Sequence, residues 1–169
     1  MANTYTLIKA VTVGSGGAAN IEFTSIPNTY TDLVVLSSCR GTGAGGVVDS
    51  QITFNNSTTN YSGKNIEGNG TTIYSQNHGS TGLKLIDVGA GSTSNIFSVI
   101  EVYIPNYTSS NFKSVCTSNV TENAGANSWQ QMAAGQWSDT SAITSIKLAP
   151  DAGTYVQHSS AYLYGISNT

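Results

Sequence analysis

Nine carboxylates, two histidines and two cysteines are the side chains from which a hydrolytic or metal site in this chain would have to be drawn. The carboxylates are Glu22, Asp32, Asp49, Glu67, Asp87, Glu101, Glu122, Asp139 and Asp151. No two stand in an Asp-X-Asp spacing, and none stands in a Glu-X-X-His spacing. A glycosidase needs two carboxyl groups about 5–9.5 Å apart, which here only folding could assemble. His78 lies in Ser75-Gln76-Asn77-His78-Gly79, a loop by composition, and His158 in Val156-Gln157-His158-Ser159-Ser160, just before the last expected strand. There is no Gly-X-Ser-X-Gly elbow to present a serine nucleophile. Two histidines alone fall short of a three-ligand catalytic zinc site. The glycine-rich run 41–46 lacks the lysine of a phosphate loop and is followed by a period-two pattern, so it reads as a flexible link between strands.

Cys39 and Cys116 are far apart in sequence, unlike the close pairs of zinc sites, and each falls in a strand-like run. The expectation is two buried free thiols, with an inter-sheet disulfide as the alternative that the expected lack of an export signal argues against. Six Asn-X-Ser/Thr sequons begin at Asn55, Asn56, Asn60, Asn69, Asn106 and Asn119. They read as loop and turn residues, because asparagine tolerates the backbone conformations that turns demand. Exposed aromatics beside amides can stack on sugar rings, and Tyr61, Tyr74 and His78 lie in polar stretches. These three are the candidate contacts to a glycan or a protein partner. No catalytic, metal or cofactor residue is expected.

The elements that would position such residues are short and numerous. Only 9% of the chain is charged, against a usual share of about 25%. The formal net charge is -3, and the six basic residues (Lys9, Arg40, Lys64, Lys84, Lys113, Lys147) are scattered. Nucleic-acid binding needs clustered cations, so it is not expected. No run approaches the about 20 apolar residues of a membrane-spanning helix. The start of the chain, Met1-Ala2-Asn3-Thr4-Tyr5, has neither a basic nor an apolar run, and the reading expects no export signal.

Runs of β-branched and aromatic residues recur between clusters of Gly, Asn, Ser and Thr, and no amphipathic helix is visible. Residues 4–13, 20–26, 32–40, 47–54, 71–75, 82–88, 95–104, 112–118, 129–137, 142–148 and 161–166 read as strands. The run Leu33-Val34-Val35-Leu36 predicts a central strand buried on both faces. Segment 55–69 reads as polar and turn-rich, with a short strand near 64–66. The expectation is an all-β chain: one jelly-roll-like antiparallel sandwich of about ten strands spanning residues 1–169.

The run Phe23-Thr24-Ser25-Ile26-Pro27-Asn28-Thr29-Tyr30-Thr31-Asp32-Leu33-Val34-Val35 is followed by Ile52-Thr53-Phe54-Asn55-Asn56 and Asn60-Tyr61-Ser62. Later come Ile104-Pro105-Asn106-Tyr107, Trp137-Ser138, Ala142-Ile143-Thr144-Ser145-Ile146-Lys147-Leu148 and Leu163-Tyr164-Gly165-Ile166. In this order the motifs resemble small structural proteins from tailed phages of aquatic bacteria, over nearly the whole chain. The resemblance implies a virion component, a homotrimer, acting as a capsid decoration (cement) protein or as the head of a fibre or spike. Its implied partners are its own copies, the major capsid protein or other virion proteins, and, in the fibre reading, host surface glycans. It implies a place on the outer surface of the virion after synthesis in the host cytoplasm. The reading expects no shaft or anchoring segment ahead of the sandwich, which counts against a long fibre and favours a decoration subunit or small adaptor. The expected contact elements are residues 3–13, 41–46 and 55–69.

Overall fold

The computed structural model describes residues 4–122 and 128–167. Twelve strands account for it, and no helix occurs among the described residues. In chain order they are β1 (Tyr5–Thr12), β2 (Ile21–Phe23), β3 (Asp32–Ser38), β4 (Val47–Phe54), β5 (Tyr61–Gly68) and β6 (Ile73–His78). The second half continues with β7 (Leu83–Val88), β8 (Val99–Ile104), β9 (Lys113–Val120), β10 (Gln130–Trp137), β11 (Ile146–Pro150) and β12 (Ser160–Ile166).

Alternation decides how they stack. In β8 the odd positions Val99, Glu101 and Tyr103 are exposed while Ile100, Val102 and Ile104 are buried. The period of two puts successive side chains on opposite faces, so one face must seek a second layer. That layer exists. Eight strands form one sheet in the order β1-β12-β3-β8-β9-β10-β5-β6, and four form another in the order β2-β11-β4-β7. All named pairings are antiparallel. The fold is an all-β, two-sheet, sandwich-like arrangement.

The core lies between the inner faces. Leu33, Val35, Ile100, Val102, Ile104 and Leu163 of the large sheet meet Ile21, Phe23, Ile52, Phe54, Leu83 and Leu148 of the small one. Trp137 is wedged beside Phe54 and Tyr61, with ring centroids at 5.7 and 6.2 Å, and its ring lies nearly parallel to that of Tyr61. The central-strand expectation for Leu33-Val34-Val35-Leu36 holds for the first three, whereas Leu36 is exposed on the outer face.

Segment 55–69 departs from the reading. It contains a full eight-residue strand, β5, whose inward positions are Tyr61, Gly63, Asn65 and Glu67. A face made of polar and glycine residues carries no apolar alternation to detect. Of the sequon asparagines, Asn55, Asn56, Asn60 and Asn106 have positive φ (50–69°), as turn residues do. Asn69 caps the β5–β6 turn, its Oδ1 accepting from the N–H groups of Thr71 and Thr72 at 3.1 and 2.8 Å. Asn119 is different: it is a fully buried residue of β9.

Two buried cations hold loops to this frame. Arg40, just past β3, sends its guanidinium to four backbone carbonyls of the loop ahead of β8. Lys113 at the start of β9 donates from Nζ to the carbonyls of Ser109 (2.8 Å), Asn111 (2.6 Å) and Asp139 (3.4 Å). Burial pushes its ammonium below the usual lysine value. The glycine-rich run 41–46 is pinned rather than flexible. Gly41 N–H donates to the Val88 carbonyl at 2.8 Å, and its own carbonyls at Gly43, Gly45 and Gly46 accept from Ala90, Gly91 and Gly89.

Candidate functional sites: an uncovered sheet face and an aromatic corner

The large sheet has a second face that no element of the described chain covers. Strand register places its residues in rungs. One rung runs Ile73, Gly68, Gln130, Val120, Val99. The next runs Ser75, Ile66, Met132, Ser118, Glu101, then Leu36 and Tyr162. A third runs Asn77, Lys64, Ala134, Cys116, Tyr103, then Val34, Tyr164 and Leu7. Ile73, Val99, Met132 and Ile66 are 79%, 64%, 62% and 61% exposed, unusual for side chains that gain about 1.5–3 kcal/mol on burial. Charge is scarce here. Along these strands the outer positions carry Lys64, Glu101 and Asp32, and the Asp32 carboxylate is occupied by Tyr103 OH (2.7 Å) and Asn106 N–H (2.8 Å).

At one end of this face the missing side chain of Gly68 leaves a groove of about 600 Å³, walled by Ile66, Ile73, Val120 and Met132. A Cβ on Gly68 would meet nothing closer than the Thr72 carbonyl at 3.8 Å, so the floor is open. Large exposed apolar patches mark contact surfaces, and interface cores are depleted in charge. This face fits both descriptions.

The inner side of β6 extends past the small sheet and forms an aromatic corner. Tyr74 is exposed and leans on half-buried Trp129, centroids 5.6 Å apart. Behind them lies a buried polar layer centred on Glu67. Its Oε1 accepts from Gln76 Nε2 at 2.7 Å, and its Oε2 from Asn65 (2.8 Å) and Gln131 (3.1 Å).

The three expected contact residues therefore separate. Tyr74 is surface-exposed as expected, on a strand that the sequence placed at 71–75 and that runs Ile73–His78. Tyr61 does not lie in a loop and cannot meet a ligand: it is a core residue of β5, and its hydroxyl accepts from Phe54 N–H at 2.7 Å. Burial pushes its phenol up to about 12. His78 closes β6 half-buried, its Nδ1 accepting from Lys84 N–H at 3.3 Å. Burial, and then the Lys84 ammonium, hold its imidazole below the usual histidine value. Its ring lies over Gly63, where a Cβ would come within 2.5 Å of Cε1, so only glycine fits. His78 ties β6 to β7 rather than facing outward. Trp129 was readable as a strand residue, but nothing in the sequence placed it beside Tyr74.

The cysteines divide too. Cys39 is buried with its Sγ near the Ser160 carbonyl, and burial raises its thiol. Cys116 is exposed on the outer face of β9, which corrects the expectation that both are buried. They lie on opposite faces of the large sheet and are not bonded.

The remaining titratable feature is Asp87, buried in the core on β7. Desolvation raises its carboxyl above the ordinary value, offset in part by the Ser50, Ser98 and Tyr155 hydroxyls. Ser98 Oγ lies 2.6 Å from Asp87 Oδ1 and 3.0 Å from the Cys39 carbonyl, and it accepts from Cys39 N–H at 3.2 Å. One hydroxyl hydrogen cannot serve two oxygens at once, so a protonated Asp87 donating to Ser98 completes the set. A raised folded-state carboxyl penalises folding as pH rises from the ordinary carboxyl value toward the folded one. Wild-type stability contributed by this group is therefore greatest in acid. Asp87→Asn can donate from its amide in the same direction and never ionises. It is expected to raise the urea midpoint at pH 7, with the gain shrinking below pH 4. A loss at pH 7 would reject the protonated assignment.

No group of three or more His, Cys, Asp or Glu side chains gathers as a metal site among the described residues. No known protein-family model matches the chain, and no curated protein matches it.

Proposed function

We propose that this chain is a non-enzymatic structural component of a phage virion, a capsid decoration (cement) subunit with a jelly-roll-like sandwich that docks as an oligomer, a homotrimer by the resemblance, and reinforces the shell. The observation that carries the reading is the uncovered outer face of the large sheet, which exposes Ile66, Ile73, Val99 and Met132 among mostly uncharged polar residues. Docking such a face desolvates almost no ions, and several copies held together multiply each weak contact through effective concentration. The order of sequence motifs and the scarcity of charge support the virion setting, and the adjacency of β1 and β12 suits a jelly-roll-like connectivity.

The test uses particles stripped of this protein. They are expected to lose resistance to heat and osmotic shock, and added protein restores it. Met132→Glu with Val99→Glu, both on the outer face, is expected to weaken binding at least about tenfold, since hot-spot losses exceed about 2 kcal/mol. Stripped particles as robust as intact ones would overturn reinforcement.

A second reading, a tail fibre or spike protein that recognises host surface glycans, rests on the Tyr74–Trp129 corner beside amide and carboxylate groups. A glycan array distinguishes it: specific binding abolished by Tyr74→Ala would favour recognition over reinforcement.

A further inference from the structure

Sheet edges expose unpaired N–H and C=O groups, and folded proteins usually blunt them. Three of the four edges here are blunted. β1 carries a register break between Leu7 and Lys9 and places that lysine on the edge. β2 is three residues long. β7 is occupied by its own chain, through Lys84 N–H to His78 Nδ1 and the Gly41 N–H to Val88 carbonyl bond. Among the described residues β6 has none of these guards. Its sequence Ile-Tyr-Ser-Gln-Asn-His contains no proline, lysine or carboxylate, and its pairing with β5 is unbroken from Ile73 to His78.

The free backbone groups can be assigned. Asn69 N–H donates to the Thr72 carbonyl at the hairpin end, and Ser138 N–H donates to the Asn60 carbonyl on the other side of β5. Antiparallel pairs alternate between bonded and non-bonded. Both bonds then give one phase: Tyr74, Gln76 and His78 bond to β5, while Ile73, Ser75 and Asn77 turn their N–H and C=O groups outward. Only another extended backbone presents donors and acceptors at that repeat.

We propose that β6 pairs with β6 of a second copy, antiparallel about a two-fold axis at Ser75. In this register outward residues meet outward residues: Ser75 faces Ser75 of the copy, and Ile73 faces Asn77. The two exchange six backbone hydrogen bonds. The facing side chains are uncharged, so self-pairing brings no like-charge repulsion. Ile73, the most exposed large apolar residue, gains cover, and the outer face runs on across the junction. A two-fold strand contact joins two protomers and is separate from any threefold contact. It goes beyond the docking reading and does not depend on it.

The decisive experiment is site-directed cross-linking in a Cys116→Ser background. Directly bonded partners lie about 5.5 Å apart at Cα, within the disulfide range of about 4.4–6.8 Å. Ser75→Cys is expected to give a disulfide dimer in a glutathione redox buffer. Tyr74→Cys, whose partner is Gln76, is expected to give little. Sedimentation of the unmodified protein should show a concentration-dependent dimer. Ser75→Pro removes an outward N–H without touching the bonds to β5, and should weaken that dimer roughly tenfold or more with thermal unfolding unchanged at concentrations where both proteins are monomeric. Should the proline variant misfold, Ser75→Lys, which sets two ammonium groups opposite each other, replaces it. A monomer at all concentrations, equal cross-linking from both cysteines, or a dimer indifferent to these changes would overturn the pairing. Loss of the dimer in Met132→Glu but not in Ser75→Pro would assign self-association to the sheet face instead.

Discussion

Arg40→Met is expected to destabilise the protein by about 3 kcal/mol or more and to loosen the loop before β8. Arg40 Nη1 donates to the Thr93 and Ile96 carbonyls at 2.7 and 3.2 Å, and Nη2 to Ala90 and Ser92 at 3.3 and 2.9 Å. No carboxylate pairs with it in these bonds, so loop carbonyl dipoles stabilise the buried charge. Hydrogen bonds to charged groups contribute about 1.5–3 kcal/mol each. Water can replace some of them once the loop opens, so the total falls below the simple sum. Arg40→Lys supplies a single nitrogen where the loop needs a planar fork, and is expected to recover less than half the loss. Urea denaturation reads the stability, and amide exchange over residues 90–97 reads the loop. Unchanged exchange there in Arg40→Met would mean that the loop is held by other contacts.

The second large effect concerns the aromatic wedge. Trp137→Ala is expected to cost about 3–5 kcal/mol, the range for emptying a large core aromatic site. Phe54 and Tyr61 flank the indole from two strands of two different sheets, so neither can move to fill the cavity without breaking register. Trp137 also buries its Nε1–H with no hydrogen-bond partner. Trp137→Phe keeps most of the volume and removes that donor, so it is expected to cost less than about 1.5 kcal/mol. The contrast between the two variants separates packing from polarity. If phenylalanine costs as much as alanine, the indole nitrogen has a stabilising role that these contacts do not supply.

Both effects come from residues with no conspicuous signature in the sequence. Arg40 read as one of six scattered cations, and only the fold shows it inside a loop. Tyr61 read as a loop aromatic available to a glycan, because the strand that holds it alternates Tyr, Gly, Asn and Glu on its inner side. Burying Glu67 is tolerated because Asn65, Gln76 and Gln131 all donate to its carboxylate, while Asn65 Oδ1 keeps no partner. Gln131 stands 64 residues from Glu67 in the chain, beyond any local pattern.

Period-two alternation, turn residues and the absence of helical periodicity were enough to settle an all-β chain and most strand positions. These are local properties of backbone and side chain, written within a few residues. Assembly in space fixed the rest: the eight-plus-four division of strands, the opposite placement of Cys39 and Cys116, the meeting of Tyr74 with Trp129, and the bare edge at β6. A strand's neighbours are chosen by long-range pairing, and whether a face is covered depends on how many strands the opposing layer can supply. The small sheet supplies four strands against the inner face alone, so the outer face of the eight-stranded sheet is left bare by the described chain.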